Sequence, residues 1–175
     1  MTAENPDALS LSRVVLRALI GLNLGMGTFI LVLLVASHVA HDFAMRALGG
    51  AHPGDDNHGL MLGMRWIMVI GLAAVPLMHL VLSRLLAIVE TVRAGDPFVP
   101  ENAQRLNRIA WSVLGLALMH VVVMAIARAA STASHPIGIE TRFDLARWVT
   151  VLLLFVLARV FEHGTRLRED LQGTV

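Results

Sequence analysis

A run of twenty residues without a charged side chain, from Ala18 to Ser37, constrains this chain more than any other feature. An α-helix rises about 1.5 Å per residue, so about 20 apolar residues cross a hydrocarbon core about 30 Å thick. The run is longer than the 7–15 apolar residues of a typical signal peptide, and Glu4 and Asp7 precede it. We therefore expect this segment to stay in the mature protein as a transmembrane helix.

Three later segments are also apolar enough to suggest membrane spans. The last of them is weak, because Arg147 and Arg159 leave only residues 148–158 uncharged, and it spans only if both arginines extend to the interfaces. With 56% apolar and 15% charged residues, against about 25% charged on average, the chain lacks the surface of a soluble domain. The sequence predicts one membrane domain, an all-α integral membrane four-helix bundle with up-down topology. Its predicted spans are residues 18–37, 66–89, 109–127 and 145–161, followed by a cytoplasmic tail over residues 162–175.

The distribution of arginines predicts the orientation of these spans. Nine arginines fall on the side of the N-terminus: Arg13, Arg17, Arg84, Arg93, Arg105, Arg108, Arg159, Arg166 and Arg168. Five fall on the opposite side: Arg46, Arg65, Arg128, Arg142 and Arg147. Because cytoplasmic loops carry an excess of basic residues, both termini are expected in the cytoplasm.

Composition and motifs argue against several classes of protein. A net charge of +1 does not fit a nucleic-acid-binding surface, which needs a concentrated basic stripe. The chain has no cysteine, which excludes disulfides, thiolate nucleophiles, iron–sulfur clusters and covalently attached haem. It contains no G-x-S-x-G, P-loop, H-E-x-x-H or dinucleotide-binding fingerprint. We therefore expect a protein that is not an enzyme and that needs no cofactor.

The connection after the second span contains residues that typically end one helix and begin the next. Gly95 suits the left-handed conformation that commonly follows a helix, and Pro97 stiffens the turn. Pro100 fits the first position of a new helix, and Glu101 would face the positive end of its dipole. The sequence predicts a short, stiff turn between two helices at the cytoplasmic face.

This turn and the C-terminal segment resemble the two signatures of the YoaS-like bacterial four-helix membrane protein family. Residues 95–106 match G-x-P-F-x-x-x-N-x-x-R-L, and residues 161–175 resemble F-x-x-G-x-x-L-x-x-D-x-x-x-T-V. Among the matching positions, the candidate site residues are Gly95, Pro97, Phe98, Asn102, Arg105, Leu106, Gly164, Leu167, Asp170 and Thr174.

The resemblance implies a multi-pass protein of the bacterial plasma membrane, in a family whose function is unknown. Members of that family often lie beside a small helix-turn-helix regulator, which implies a non-enzymatic sensor or interaction protein coupled to such a partner. In this sequence, Asn102 and Arg105 either pair with Glu169 or Asp170 of the tail or present a docking surface.

The histidines suggest an alternative, a metal- or haem-binding membrane protein. His38 and His41 share a helix face next to Asp42, and imidazole with carboxylate suits a divalent metal, although ordinary polar anchoring explains them as well. His79 and His120 lie inside predicted spans, where ionisable residues are costly and mark candidate functional sites. They could ligate haem b, form a hydrogen-bonded packing pair, or belong to an ion path.

Two further hypotheses concern the interior of the membrane domain. A small transporter would place a polar cavity near Asn23, His79 and His120. Gly21 and Gly25 form a G-x-x-x-G pair, which allows close helix packing in lipid, either within the chain or in a homodimer.

Overall fold

Four long α-helices make up the part of the chain that the structure describes. The structure is a computed structural model, and it describes residues 6–40, 58–131 and 144–172, with side chains described for residues 10–40, 59–131 and 144–168. The helices are α1 (Pro6–Val39), α2 (His58–Arg93), α3 (Pro100–Ala130) and α4 (Leu145–Gln172). The all-α prediction is therefore confirmed for these residues.

Three of the helices are long and apolar enough to cross a membrane. They are Ser10–Val39 of α1, Gly59–Arg93 of α2 and Pro100–Ala130 of α3, and they contain the predicted spans 18–37, 66–89 and 109–127. The fourth helix forms as predicted and continues into the tail, but it is not among these three. Its mean hydropathy is lowered by arginines at both ends of a short apolar stretch.

The second helix begins earlier than the apolar pattern indicated. Residues 58–65 were expected to belong to an outer loop, but α2 starts at His58. The physical reason is burial, because Leu60 and Met61 are both buried at the start of the helix. Their apolar side chains extend the packed face of α2 by about two turns beyond the uncharged run.

The chain divides into two compact units, each built from more than one helix. The first unit takes Met1–Asn23, Leu77–Ala117 and Asp144–Val175, and the second takes Leu24–Pro76 and Leu118–Phe143. In the first unit Leu16, Leu106, Ile109, Ala110 and Ala158 are buried. These residues come from α1, α3 and α4, so the first unit has an apolar core shared by at least three helical segments.

Small residues and one arginine hold the second unit together. A Cβ atom added at Gly63 would collide with the Cβ of Ala130, and one added at Gly27 would lie 3.0 Å from Val75. The Arg65 guanidinium donates to both the Oγ and the carbonyl oxygen of Ser37. Helices in lipid associate through such close contacts and interhelical hydrogen bonds, since the hydrophobic effect is absent between them.

The G-x-x-x-G pair of α1 is not where this close packing occurs. A Cβ atom added at Gly21 or Gly25 would meet nothing within 4 Å among the described residues. Of the two predicted roles of this pair, close packing within the chain is therefore wrong for the described residues, and a homodimer contact stays a prediction. Gly27, two residues further along, is the glycine of α1 that α2 approaches.

We predict that Gly63→Ala destabilises the protein by about 1–3 kcal/mol, because the added methyl group overpacks the contact with Ala130. Gly59→Ala is the matched control, since Gly59 lies one turn earlier on the same helix and a Cβ atom there would meet nothing within 4 Å among the described residues. Thermal unfolding in detergent measures both. Equal unfolding midpoints for the two variants would show that α2 and α3 are not in close contact at this position.

Candidate functional site

The turn between α2 and α3 is closed by a pattern of backbone hydrogen bonds that ends a helix. The amide of Gly95 donates to the carbonyl of Val92 at 3.0 Å, and the amide of Asp96 donates to that of Thr91 at 3.1 Å. Gly95 has φ +84°, the left-handed conformation predicted for it. These two bonds form a Schellman motif, which satisfies carbonyls that the end of α2 would otherwise leave unpaired.

Asn102 lies at the start of α3, and its side chain stabilises the connection between α2 and α3 from the buried side. Its side chain is fully buried, and its Nδ2 donates to the Thr91 hydroxyl at 2.7 Å and to the Pro97 carbonyl at 2.9 Å. Its Oδ1 accepts from Arg105 at 2.7 Å. The side-chain amide thus uses both donor hydrogens and its acceptor, as a buried polar group must.

Arg105 and Leu106 extend this bracing along α3. The Arg105 guanidinium, besides its bond to Asn102, lies 3.4 Å from the carbonyl oxygen of Ala87 in α2. Leu106 is buried in the apolar core of the first unit. The first family signature therefore describes one folded feature, a turn in which the polar residues face inward.

The second signature lies against the first. We call this the turn–helix contact, formed by Asp96 and Phe98 of the turn with Phe161, Gly164 and Arg168 of α4. The rings of Phe98 and Phe161 are 5.4 Å apart, and a Cβ atom at Gly164 would lie 3.4 Å from the Phe98 ring. The Arg168 guanidinium forms an ion pair with Asp96 and lies 3.3 Å from the carbonyl oxygen of Phe98.

The turn–helix contact presents a mixed surface of apolar and basic side chains. Phe98 is 44% exposed despite its contacts, and Leu167, one turn after Gly164, is 65% exposed. Arg166 and Arg168 lie on either side of Leu167 in the chain and are exposed. Exposed aromatic and arginine side chains are the residue types that dominate binding energy in protein interfaces.

The predicted motif residues are distributed over this site as follows. The structure brings together Gly95, Pro97, Phe98, Asn102, Arg105, Leu106 and Gly164, and it leaves Leu167 on the adjacent surface. Asn102 is not an exposed docking residue, because its side chain is buried. The side chain of Asp170 and all of Thr174 lie outside the described residues, as does the side chain of Glu169.

Sequence reasoning missed Thr91, Asp96 and Arg168, and it did not name Phe161 as a site residue although Phe161 opens the second signature. The Thr91 hydroxyl accepts from Asn102 and donates to Ile88, so it completes the buried network. Asp96 and Arg168 occupy variable positions of the two signatures. Their opposite charges were the one available signal that the signatures meet.

The histidine hypotheses remain predictions. His38 donates from Nδ1 to the carbonyl of Leu34, while His41 and Asp42 lie outside the described residues. His79 belongs to the first unit, where its Nδ1 is buried without a hydrogen-bond partner among the described residues, and His120 belongs to the second unit. In the described ranges, no three His, Asp or Glu side chains are grouped so that they could hold a metal ion.

Comparison with known proteins adds one finding to this geometry. Residues 36–175 match the model of a family described as a protein of unknown function (DUF2975). Both signatures lie inside the matched range. No curated protein and no solved structure matches the chain.

We predict that Asn102→Ala lowers the free energy of unfolding by about 1–3 kcal/mol, since it removes a hydrogen-bond partner of the partly buried Thr91 hydroxyl and of the Arg105 guanidinium. Asn107→Ala is the control, because Asn107 lies on the same helix and is exposed, and we expect a change below about 0.5 kcal/mol. Thermal unfolding in detergent compares them. Similar losses in both variants would mean that the buried network does not stabilise the turn.

Proposed function

We propose, on the premise that this chain belongs to the DUF2975 family of proteins of unknown function, that it is a non-enzymatic membrane protein that binds a cytoplasmic protein partner. The partner would dock on the turn–helix contact. We further infer that the chain is of the YoaS-like kind. The partner is then a small helix-turn-helix regulator, which the protein holds at the membrane or releases as a sensor.

The single observation that supports this proposal is the exposed Phe98 ring on a turn that buried hydrogen bonds hold in place. The fully buried Asn102, the Schellman motif and the ion pair to α4 together hold this turn in one conformation. Rigid presentation of an aromatic side chain reduces the entropy lost on binding. The turn is therefore built as a preorganised surface for a partner.

The basic side chains around Phe98 suggest the character of the partner. Arg166 shares the carboxylate of Glu162, and Arg168 pairs with Asp96. Exposed ion pairs contribute only about 0–1 kcal/mol, so these arginines can exchange their partners for acidic groups of a docked protein at little cost. An apolar anchor with a cationic rim fits a protein that offers a hydrophobic pocket surrounded by Asp and Glu.

The membrane arrangement that supports this function has four spans and both termini in the cytoplasm of a bacterial cell. The count of nine arginines against five favours that orientation. The fourth helix then crosses the bilayer with Arg147 and Arg159 extended towards opposite interfaces. Under this arrangement the turn–helix contact faces the cytoplasm, where a regulator would meet it.

We predict a labelling pattern that tests this arrangement. The natural chain has no cysteine, so single cysteines at Ala3, Ala51, Glu101, Ser134 and Thr174 each report one segment. In intact cells, a maleimide that cannot cross the membrane should label the variants at Ala51 and Ser134 only. Labelling of the Thr174 variant in intact cells would instead show that α4 does not cross and that the chain has three spans.

We also predict the binding behaviour of variants at Leu167 and Phe98. The probe is the purified helix-turn-helix protein that the resemblance to the YoaS-like family leads us to expect beside this chain's gene, and the measurement is its affinity for the full-length protein in detergent. Leu167→Glu should weaken binding about tenfold or more, since burying a carboxylate in an apolar contact costs more than 1.4 kcal/mol. Phe98→Ala should weaken it similarly, because it removes the anchor.

Leu11→Glu is the matched control for this measurement. Leu11 is 64% exposed, nearly the same as Leu167, and it lies near the N-terminus on the proposed cytoplasmic side. We expect its affinity to be unchanged. If the regulator binds all variants equally, or does not bind the natural protein, the proposed interaction is wrong.

A further inference from the structure

The first unit contains a groove between α3 and α4 that shares only Arg166 with the surface proposed above for a protein partner. It encloses about 650 Å³, within the range of small-molecule sites. Its lining comes from the first three turns of α3 and from the middle of α4. The main lining residues are Gln104, Asn107 and Trp111 of α3 with Phe155, Arg159 and Arg166 of α4.

The lining changes from apolar to polar along the groove. At one end, the rings of Trp111 and Phe155 meet edge to face, 5.3 Å apart. The two helices run in opposite directions along the groove, because Trp111 contacts Phe155 whereas Phe98, just before α3, contacts Phe161 and Gly164 further along α4. The aromatic end of the groove is formed by the apolar segments of both helices. The opposite end belongs to their charged extensions.

The charged end of the groove carries an excess of positive charge. Glu162 accepts from Arg159 at 3.0 Å and from Arg166 at 2.7 Å, so one carboxylate serves two guanidinium groups. One positive charge is left uncompensated within this cluster. Both arginine side chains are mostly exposed, at 76% and 68%, and their guanidinium groups can turn towards a ligand.

We propose that this groove binds an anionic glycerophospholipid of the surrounding bilayer. The headgroup phosphate would lie between Arg159 and Arg166, because guanidinium groups pair with phosphate oxygens in a bidentate manner. The amides of Gln104 and Asn107 face the same space and can donate to phosphate or glycerol oxygens. An acyl chain would cover the edge-to-face pair of Trp111 and Phe155.

Two features favour a bilayer lipid over a soluble phosphate compound. The apolar end of the groove needs a hydrocarbon to cover it, and a small anion would leave it empty. The groove also follows helices that pass from an apolar segment into a charged one, as a phospholipid passes from acyl chain to headgroup. Basic pockets between membrane helices are known sites for acidic lipid headgroups.

Quenching of Trp111 fluorescence by brominated lipids tests this site in the full-length protein. Trp66→Phe with Trp148→Phe leaves Trp111 as the single tryptophan in vesicles of phosphatidylcholine and phosphatidylglycerol. Bromine on the phosphatidylglycerol chains should quench Trp111 with an apparent affinity about fivefold or more above that of brominated phosphatidylcholine. Equal quenching by the two lipids overturns the proposal.

Three variants in this single-tryptophan background test whether the lipid preference depends on the groove or on the overall charge of the protein. Arg159→Gln with Arg166→Gln should abolish the preference for the anionic lipid, and Glu162→Gln should increase it. Arg93→Gln, an exposed arginine at the end of α2 outside the groove, should leave it unchanged. A preference that survives in the double variant, or disappears in Arg93→Gln, overturns the proposal.

Two further outcomes identify other occupants. If millimolar inorganic phosphate removes the lipid preference, the site binds a free anion and the lipid proposal is wrong. If neither brominated lipid quenches Trp111 while the protein is dimeric, a second copy covers the groove and the proposal is again wrong. Neither outcome affects regulator binding at Phe98 and Leu167, so this test is independent of the proposed function.

Discussion

The side-chain amide of Asn102 holds the turn between α2 and α3 in one conformation, and the position of α4 in the first unit depends on that turn. Its hydrogen bonds to Thr91, Pro97 and Arg105 tie together the end of one helix, the connection and the start of the next. A buried side-chain amide with all its hydrogen bonds formed favours one conformation of the turn, because any other arrangement leaves a polar group unpaired. This turn also fixes the positions of Asp96 and Phe98, and both residues contact α4.

As proposed, the fourth helix serves two purposes that conflict with each other. A membrane span favours a continuous apolar run, whereas the groove and the turn–helix contact need Arg159, Arg166 and Arg168 on the same helix. The conflict explains why α4 is not among the helices that are apolar enough to span. A lipid phosphate beside Arg159 would ease it, since a guanidinium near hydrocarbon is stabilised by an anionic partner.

The candidate site was predictable in part, and for identifiable reasons. Gly95 and Pro100 have backbone preferences strong enough to predict a helix end and a helix start from local sequence alone. The roles of Asn102 and Arg105 were not predictable, because an exposed docking pair and a buried brace require the same residue types. Their partner Thr91 lies on the preceding helix, and only the close approach of α2 and α3 assigns Asn102 to the interior.

By itself, the sequence determined the helical class, three apolar helices of spanning length and the turn at Gly95. These follow from local energetics, namely hydrophobic runs, helix ends and glycine's access to positive φ. Only the tertiary structure decided that the two signatures form one contact, that Gly27 and Gly63 mark the close helix approaches instead of Gly21 and Gly25, and that α3 and α4 enclose a groove. Such pairings depend on which helix faces meet, and periodicity within one helix carries no information about its neighbour.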